Sequence, residues 1–131
     1  VCNRYEENVY GENYGAGLYG GLPADRLHMT WRLDDPALPD RFNGLTQPRA
    51  LSDLLGLLPF DPLVPYVDAA YVLIPPDIDI LVKSDPSAAL AWRMELRRLL
   101  PAAFDAGLWL TGFVANADEE TGAAALLLTR P

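Results

Sequence analysis

Proline is concentrated in one stretch of this chain and separates two regions in which regular structure can form. Six of the twelve prolines lie between residues 34 and 67. Each proline fixes its φ angle and removes a backbone donor, which disfavours long helices and central strands. We therefore predict a long surface connection at 34–67. Its only periodic segment, Arg49 to Leu58, predicts one short amphipathic helix whose apolar side carries Leu51, Leu54, Leu55 and Leu58.

Residues 1–33 are predicted to form two short strands joined by a glycine-rich loop. The first strand closes at Asn8 to Tyr10, and the loop runs from Gly11 to Pro23 with five glycines among thirteen residues. This loop lacks the G-x-x-x-x-G-K-[ST] pattern of a phosphate cradle. The second strand alternates, so that one face is expected to enter the core and the other to present cationic and hydrogen-bonding groups. The core face would carry Leu27, Met29, Trp31 and Leu33, and the opposite face Arg26, His28, Thr30 and Arg32.

The region after residue 67 starts with a strand and continues into the clearest helix of the chain. Asp68 to Ile74 is apolar on both faces, which predicts a central strand. Asp85 can cap a helix that Pro86 opens, and Gly107 is the expected stop. Pro101 is expected to kink this helix or to restart it. The apolar stripe of the helix consists of Trp92, Leu96, Leu99, Leu100 and Ala103.

The last part of the chain predicts a β-hairpin. Leu108 to Ala115 and Ala123 to Arg130 are strand-like, and the residues between them form a polar, acidic turn. The whole chain, 1–131, is therefore predicted to be a single domain of the α+β or mixed α/β class. We expect a mixed sheet, one main helix and a C-terminal hairpin.

Charge and composition exclude several classes of protein. The net charge is −8 with a pI of about 4.4, and the chain has one lysine, so we expect no nucleic-acid partner. No apolar run reaches the roughly 18 residues that a membrane span needs. The single cysteine, Cys2, excludes an intramolecular disulfide and predicts a cytoplasmic protein. The chain begins with Val1, which indicates either a piece of a longer protein or an unusual start codon.

No pattern of catalytic or metal-binding residues stands out in the sequence. A zinc site needs several Cys or His ligands, whereas the chain has one of each. Ser52 and Ser84 do not lie in a G-x-S-x-G elbow. Asp77 and Asp79 would share one side of an extended segment, but they do not form a convincing acid–base pair. His28 could be a general base, and a hydrogen-bonded surface histidine is the commoner alternative.

A cationic cluster is the better candidate for binding. Arg26 and His28 share a strand face, and Arg93 and Arg97 share a helix face at i, i+4 spacing. Guanidinium groups around a cleft favour an anion such as a carboxylate, which they grip through two parallel hydrogen bonds. The alternative is that these arginines make ordinary surface ion pairs, Arg26 with Asp25 or another acid.

Two blocks of residues, one on each side of the proline-rich connection, carry a resemblance to a known family. The first block contains Tyr5, Tyr10-Gly11, Gly21-Leu22-Pro23, Asp25-Arg26-Leu27 and Trp31. The second contains Ile74-Pro75, Asp77, Asp85-Pro86, Ala91-Trp92-Arg93, Arg97, Phe104, Gly107 and Thr111-Gly112-Phe113. Together they resemble the C-terminal portion of a group of predicted N-acyltransferases of the GNAT superfamily. Some members are described as N-succinyltransferases of amino acids.

The resemblance implies an enzyme in which an amino group attacks an acyl-CoA thioester and this portion helps to form the acceptor pocket. It implies Arg26 as the first candidate for contacting an acceptor carboxylate, followed by Tyr10, His28 and Arg93. GNAT enzymes bind coenzyme A through a Q/R-x-x-G-x-G/A loop, which no segment of this sequence matches. We therefore expect an acceptor-side half that is inactive alone and holds no cofactor, with acyl-CoA as co-substrate of a complete enzyme.

A second hypothesis is a truncated relative without catalytic activity, which acts as a binding or dimerisation module. A two-layer fragment with an uncovered sheet edge would need a partner, either a second copy or the missing N-terminal half.

Overall fold

The computed structural model describes residues 1–11, 21–30, 33–36, 39–40 and 54–131. Seven elements are defined within them: β1 (Cys2–Glu6), β2 (Arg26–Met29), β3 (Ala69–Ile74), α1 (Ile78–Ser84), α2 (Pro86–Asp105), β4 (Trp109–Val114) and β5 (Ala124–Thr129). The strands form one sheet in the order β2-β1-β4-β5-β3. The predicted α+β class and the C-terminal hairpin are confirmed.

The prediction of a mixed sheet is wrong for the described strands, because every neighbouring pair is antiparallel. The helical crossover from β3 to β4 does make these two strands parallel to each other. They are not neighbours, however, since β5 turns back from β4 and inserts between them. A parallel crossover therefore produces no parallel pair.

The prediction that β3 is central is also wrong, since it lies at one edge of the sheet. Its edge is covered by the end of the proline-rich connection: the Phe60 amide donates to the Tyr71 carbonyl (2.8 Å) and the Tyr71 amide donates to the Leu58 carbonyl (3.2 Å). One face of β3 packs in the cluster that contains helix α2, and its other face packs against Leu54 and Leu57. An edge strand with both faces covered has the same apolar sequence as a central one.

Helix α2 begins and ends at the residues that the sequence predicts. The Asp85 side chain accepts from the Ala88 amide at 3.0 Å, and Pro86 occupies the first turn. After Asp105 the chain reverses through Gly107 at φ +84°, a left-handed conformation that favours glycine. The helix does not restart at Pro101, since it is continuous from Pro86 to Asp105; the alternative, a kink at Pro101, stays a prediction. Because proline has no N–H, the hydrogen bond from position 101 to the Arg97 carbonyl is missing.

Helix α1 was not predicted. The Asp77 side chain caps it by accepting from the Ile80 amide at 3.0 Å, and Asp79 lies in its first turn. The expected extended segment with both carboxylates on one side is therefore wrong. Because the helix has only two turns and no buried residue, apolar periodicity could not reveal it.

The N-terminal strands are shorter than predicted. β1 ends at Glu6, and Asn8 adopts φ +47° in a turn where the sequence predicted a strand end. The predicted core face of β2 holds only in part: Leu27 packs against the core, whereas Met29 and Leu33 are exposed. Trp31, Arg32 and loop residues 12–20 lie outside the described residues.

The predicted leucine helix can be tested only at its C-terminal end, since residues 41–53 lie outside the described residues. Leu54 is buried, whereas Leu55 and Leu58 are 79% and 75% exposed. The described part of this stripe therefore does not face the core as a unit.

The main core lies between helix α2 and one face of the sheet. Its buried members include Leu99, Leu100 and Ala103 from the helix, and Ala70, Val72, Leu110 and Leu128 from the strands. None of the helices in the described ranges is long and apolar enough to cross a membrane.

Truncating the centre of this core should destabilise the fold strongly. Leu100 is 1% exposed, and Leu100→Ala should lower the free energy of unfolding by about 2–5 kcal/mol, because it removes buried surface and leaves a cavity. Urea denaturation followed by circular dichroism measures this loss. The control is Leu90→Ala on the same helix, where the side chain is 44% exposed and the loss should be much smaller. Equal losses would contradict this packing of α2.

Candidate functional site

A cavity of about 360 Å³ lies between the sheet and the two helices. Its apolar lining comes from strands, helices and the segment that joins β3 to α1: Leu27, Ile74, Pro75, Pro76, Ile78, Trp92, Leu96, Leu100 and Leu126. Its polar and charged lining consists of Tyr5, Asp25, Arg26 and Arg93.

Strands from both ends of the sheet line the cavity. β1 and β2 contribute Tyr5, Arg26 and Leu27, whereas β3 and β5 contribute Ile74 and Leu126. The two groups of strands are joined by β1 and β4, which pair at a single position, Cys2 with Leu110. Helix α2 supplies further lining residues.

The polar wall is built around the buried carboxylate of Asp25, whose side chain has 0% exposure. Arg97 binds it through two nitrogens, Nη2 to Oδ1 at 2.7 Å and Nε to Oδ2 at 3.2 Å. The Tyr5 hydroxyl donates to Oδ2 at 2.6 Å, and the Asn8 amide donates to Oδ1 at 3.0 Å. Arg97 also contacts the Asn8 side chain at 3.2 Å and Glu7 at 3.4 Å. This network joins β1, the start of β2 and helix α2.

These contacts fix the protonation states around the cavity. Burial acts to raise the pKa of Asp25, but the hydrogen bonds from Arg97, Tyr5 and the Asn8 amide outweigh it, and the pKa lies below its ordinary value. Burial and the hydrogen bond to Asp25 raise the pKa of Tyr5 well above its ordinary value. Asp25 is therefore an anion at neutral pH, and Tyr5 is a neutral donor to it.

Arg93 lies one helical turn before Arg97 and faces the cavity, as their i, i+4 spacing predicts. The two arginines differ in their partners. Arg97 is neutralised by Asp25, whereas Arg93 makes no ion pair with a carboxylate in the described part of the chain. Arg93 interacts with the Tyr5 hydroxyl, where its charge and its hydrogen bond act to lower the pKa of Tyr5, against the larger effect of burial.

Arg26, the first candidate for contacting an acceptor carboxylate, also lines the cavity. Its guanidinium carbon lies 5.2 Å from the centre of the Tyr10 ring, within the range of a cation–π contact. Its Nη1 donates to the Asp25 backbone carbonyl at 3.4 Å, so that it bonds the backbone of Asp25 and not the carboxylate. Tyr10 does not line the cavity and contacts the site through Arg26.

His28 is not brought into the cavity. Its Nε2 lies 2.6 Å from Glu6 Oε2, and both side chains are about 40% exposed (43% and 40%). The structure thus brings Arg26 and Arg93 to the same cavity, whereas His28 pairs with Glu6 at the surface.

Sequence reasoning missed the roles of Tyr5 and Asp25. Apart from its place in the first block of the resemblance, Asp25 is predicted only as a partner for Arg26, whereas its carboxylate binds Arg97, 72 residues away. The available signal is an acid at a strand start, two residues after Pro23, where burial would require a cationic partner. Only the chain's three-dimensional path shows that Arg97 is this partner.

Comparisons of the chain with models of protein families, with curated proteins and with solved structures find no match. Among the described residues, no group of three or more His, Cys, Asp or Glu could hold a metal ion.

Removing the buried carboxylate of Asp25 should strongly lower the free energy of unfolding. Asp25→Asn leaves Arg97 without its counter-charge and should lower the free energy of unfolding by about 3–5 kcal/mol at pH 7. The control is Asp68→Asn, whose fully exposed side chain (100%) pairs with Arg130 at 3.6 Å and should change stability by less than about 1 kcal/mol.

The Asp25–Arg97 pair also predicts that stability depends on pH. Because the pKa of Asp25 is lower in the folded chain than in the unfolded chain, its stabilisation is complete above the unfolded value, about 3.9, and is lost as the pH falls through the folded value. The stability difference between wild type and Asp25→Asn should therefore narrow as the pH falls below about 4. Urea denaturation from pH 7 to pH 3 measures it, and a constant difference would contradict the assignment.

Proposed function

We propose that this chain forms the acceptor side of a GNAT-like N-acyltransferase, with the cavity binding an amine that also carries a carboxylate. In a complete enzyme the amine nitrogen attacks the thioester carbonyl of acyl-CoA. The new C–N bond replaces the C–S bond, the nitrogen loses a proton, and coenzyme A leaves as the thiol. A cytoplasmic location accords with the single cysteine and with acyl-CoA as co-substrate.

One observation carries this proposal: the two blocks of the family resemblance meet at one cavity. Tyr5, Asp25, Arg26 and Leu27 of the first block line it, together with Ile74, Pro75, Trp92 and Arg93 of the second. The Asp25–Arg97 ion pair links the same two blocks. A concave, mostly apolar site with a few polar groups is typical of a small-molecule binding site.

The electrostatics of the cavity favour a carboxylate ligand. The chain carries a net charge of −8, yet two guanidinium groups, from Arg26 and Arg93, line this cavity. Asp25, the one acid among the described lining residues, is neutralised by Arg97. A guanidinium in a partly apolar surrounding binds a carboxylate by charge-assisted hydrogen bonds. The apolar lining suits an uncharged side group on the same ligand.

The order of the elements is a further support. A strand, a main helix and a C-terminal hairpin follow one another as expected of a GNAT-like half, although the all-antiparallel pairing differs from the mixed sheet expected with them. Helix α2 supplies Arg93 and Trp92 to the cavity, and β5 supplies Leu126. The proposed acceptor site therefore lies on the regular elements of this unit, which hold the side chains in place.

The proposal predicts that Arg93 is required for binding of an amino acid. Calorimetric titration of the folded chain with L-phenylalanine and L-leucine should show saturable binding. Arg93→Gln should weaken it about tenfold or more, because a charge-assisted hydrogen bond to the carboxylate is lost. Arg98→Gln is the control, since Arg98 lies on the same helix but pairs with exposed Glu95 at 2.6 Å.

Two outcomes would contradict the proposal: no binding of either amino acid by the folded wild-type chain, or equal binding by wild type and Arg93→Gln. Titration with acetyl-CoA and succinyl-CoA completes the test. Saturable acyl-CoA binding would reveal a donor site within this chain. The alternative of a binding or dimerisation module predicts self-association in sedimentation experiments together with no binding of these small molecules.

A further inference from the structure

The polar groups of the cavity differ in whether they donate or accept hydrogen bonds. Arg26 and Arg93 can only donate, because guanidinium groups have no acceptor. Asp25 is an acceptor, but its side chain has 0% exposure and both of its oxygens are engaged. A ligand in the cavity therefore cannot use the Asp25 carboxylate directly.

The Tyr5 hydroxyl is held in one orientation by Asp25. Its proton is donated to Asp25 Oδ2 at 2.6 Å, a short bond to a charged acceptor. With its proton committed, the oxygen can offer only its lone pairs to other groups. Since Tyr5 lines the cavity, this oxygen is an acceptor beside the negative charge of Asp25.

We propose that the Tyr5 hydroxyl oxygen accepts a hydrogen bond from the amino group of the ligand whose carboxylate binds Arg93. This inference rests on the proposed function. Tyr5 and Arg93 line the same cavity, and the Arg93 guanidinium interacts with the Tyr5 hydroxyl. In an α-amino acid the amine and the carboxylate are attached to one carbon, so adjacent recognition groups of opposite character suit this class of ligand. Tyr5 is thus a specificity-determining residue for the amine.

The test compares two ligands that differ only in the amine. L-Phenylalanine has the amine, and 3-phenylpropanoate keeps its ring and its carboxylate without it. Wild type should bind L-phenylalanine about tenfold more tightly, because only this ligand carries a donor for the Tyr5 oxygen. In Tyr5→Phe the preference should shrink to less than about threefold, with the affinity for 3-phenylpropanoate unchanged. Tyr66→Phe, a variant at a 91% exposed tyrosine, should keep the wild-type preference.

Three other outcomes would overturn the inference. Equal weakening of both ligands in Tyr5→Phe would mean that Tyr5 only supports the site, and would overturn the inference while leaving the Arg93 site intact. Equal affinity of wild type for the two ligands would overturn it even if Tyr5→Phe did not fold. Binding of neither ligand by wild type would overturn the proposed function and this inference together.

Discussion

The ion pair between Asp25 and Arg97 is the interaction on which the site depends. It joins the start of β2 to helix α2 through residues that are 72 positions apart in sequence, and Arg97 also contacts Asn8 in the turn after β1, 89 positions away. A carboxylate with no exposed side-chain surface would be costly without such a partner. The pair neutralises the acid of the cavity wall, and Arg93 has no carboxylate partner among the described residues. The same carboxylate accepts the hydrogen bond from the Tyr5 hydroxyl, so the Tyr5 oxygen can act only as an acceptor towards other groups.

The cavity draws on both halves of the sheet. β1 and β2 line it from one half and β3 and β5 from the other, and the two halves are joined by the single pairing of β1 with β4. Helix α2 contributes both apolar and cationic lining. Leu100 of this helix belongs both to the main core and to the cavity lining, so the core and the pocket lie on the same face of the sheet.

Local signals predicted the C-terminal half well. Asp85 with Pro86 and then Gly107 set the limits of α2, because capping and left-handed backbone depend on the residues at those positions. The last two strands and their turn followed from alternation of apolar runs and polar residues. Prediction failed where tertiary context decides: β3 has the apolar pattern of a central strand but lies at an edge that Leu58 and Phe60 cover. Met29, expected in the core, is exposed on a four-residue edge strand.

The sequence by itself determined where helix α2 and the hairpin form, and that Arg93 and Arg97 share one face of the helix. These features depend on neighbours within a few residues. Only the tertiary structure decided which of the two arginines is neutralised and which faces the cavity without a carboxylate partner among the described residues. It also decided that Tyr5 and Asp25 belong to the site. The reason is physical: an ion pair between residues 25 and 97 depends on how the strands and the helix pack, and no local pattern encodes that distance.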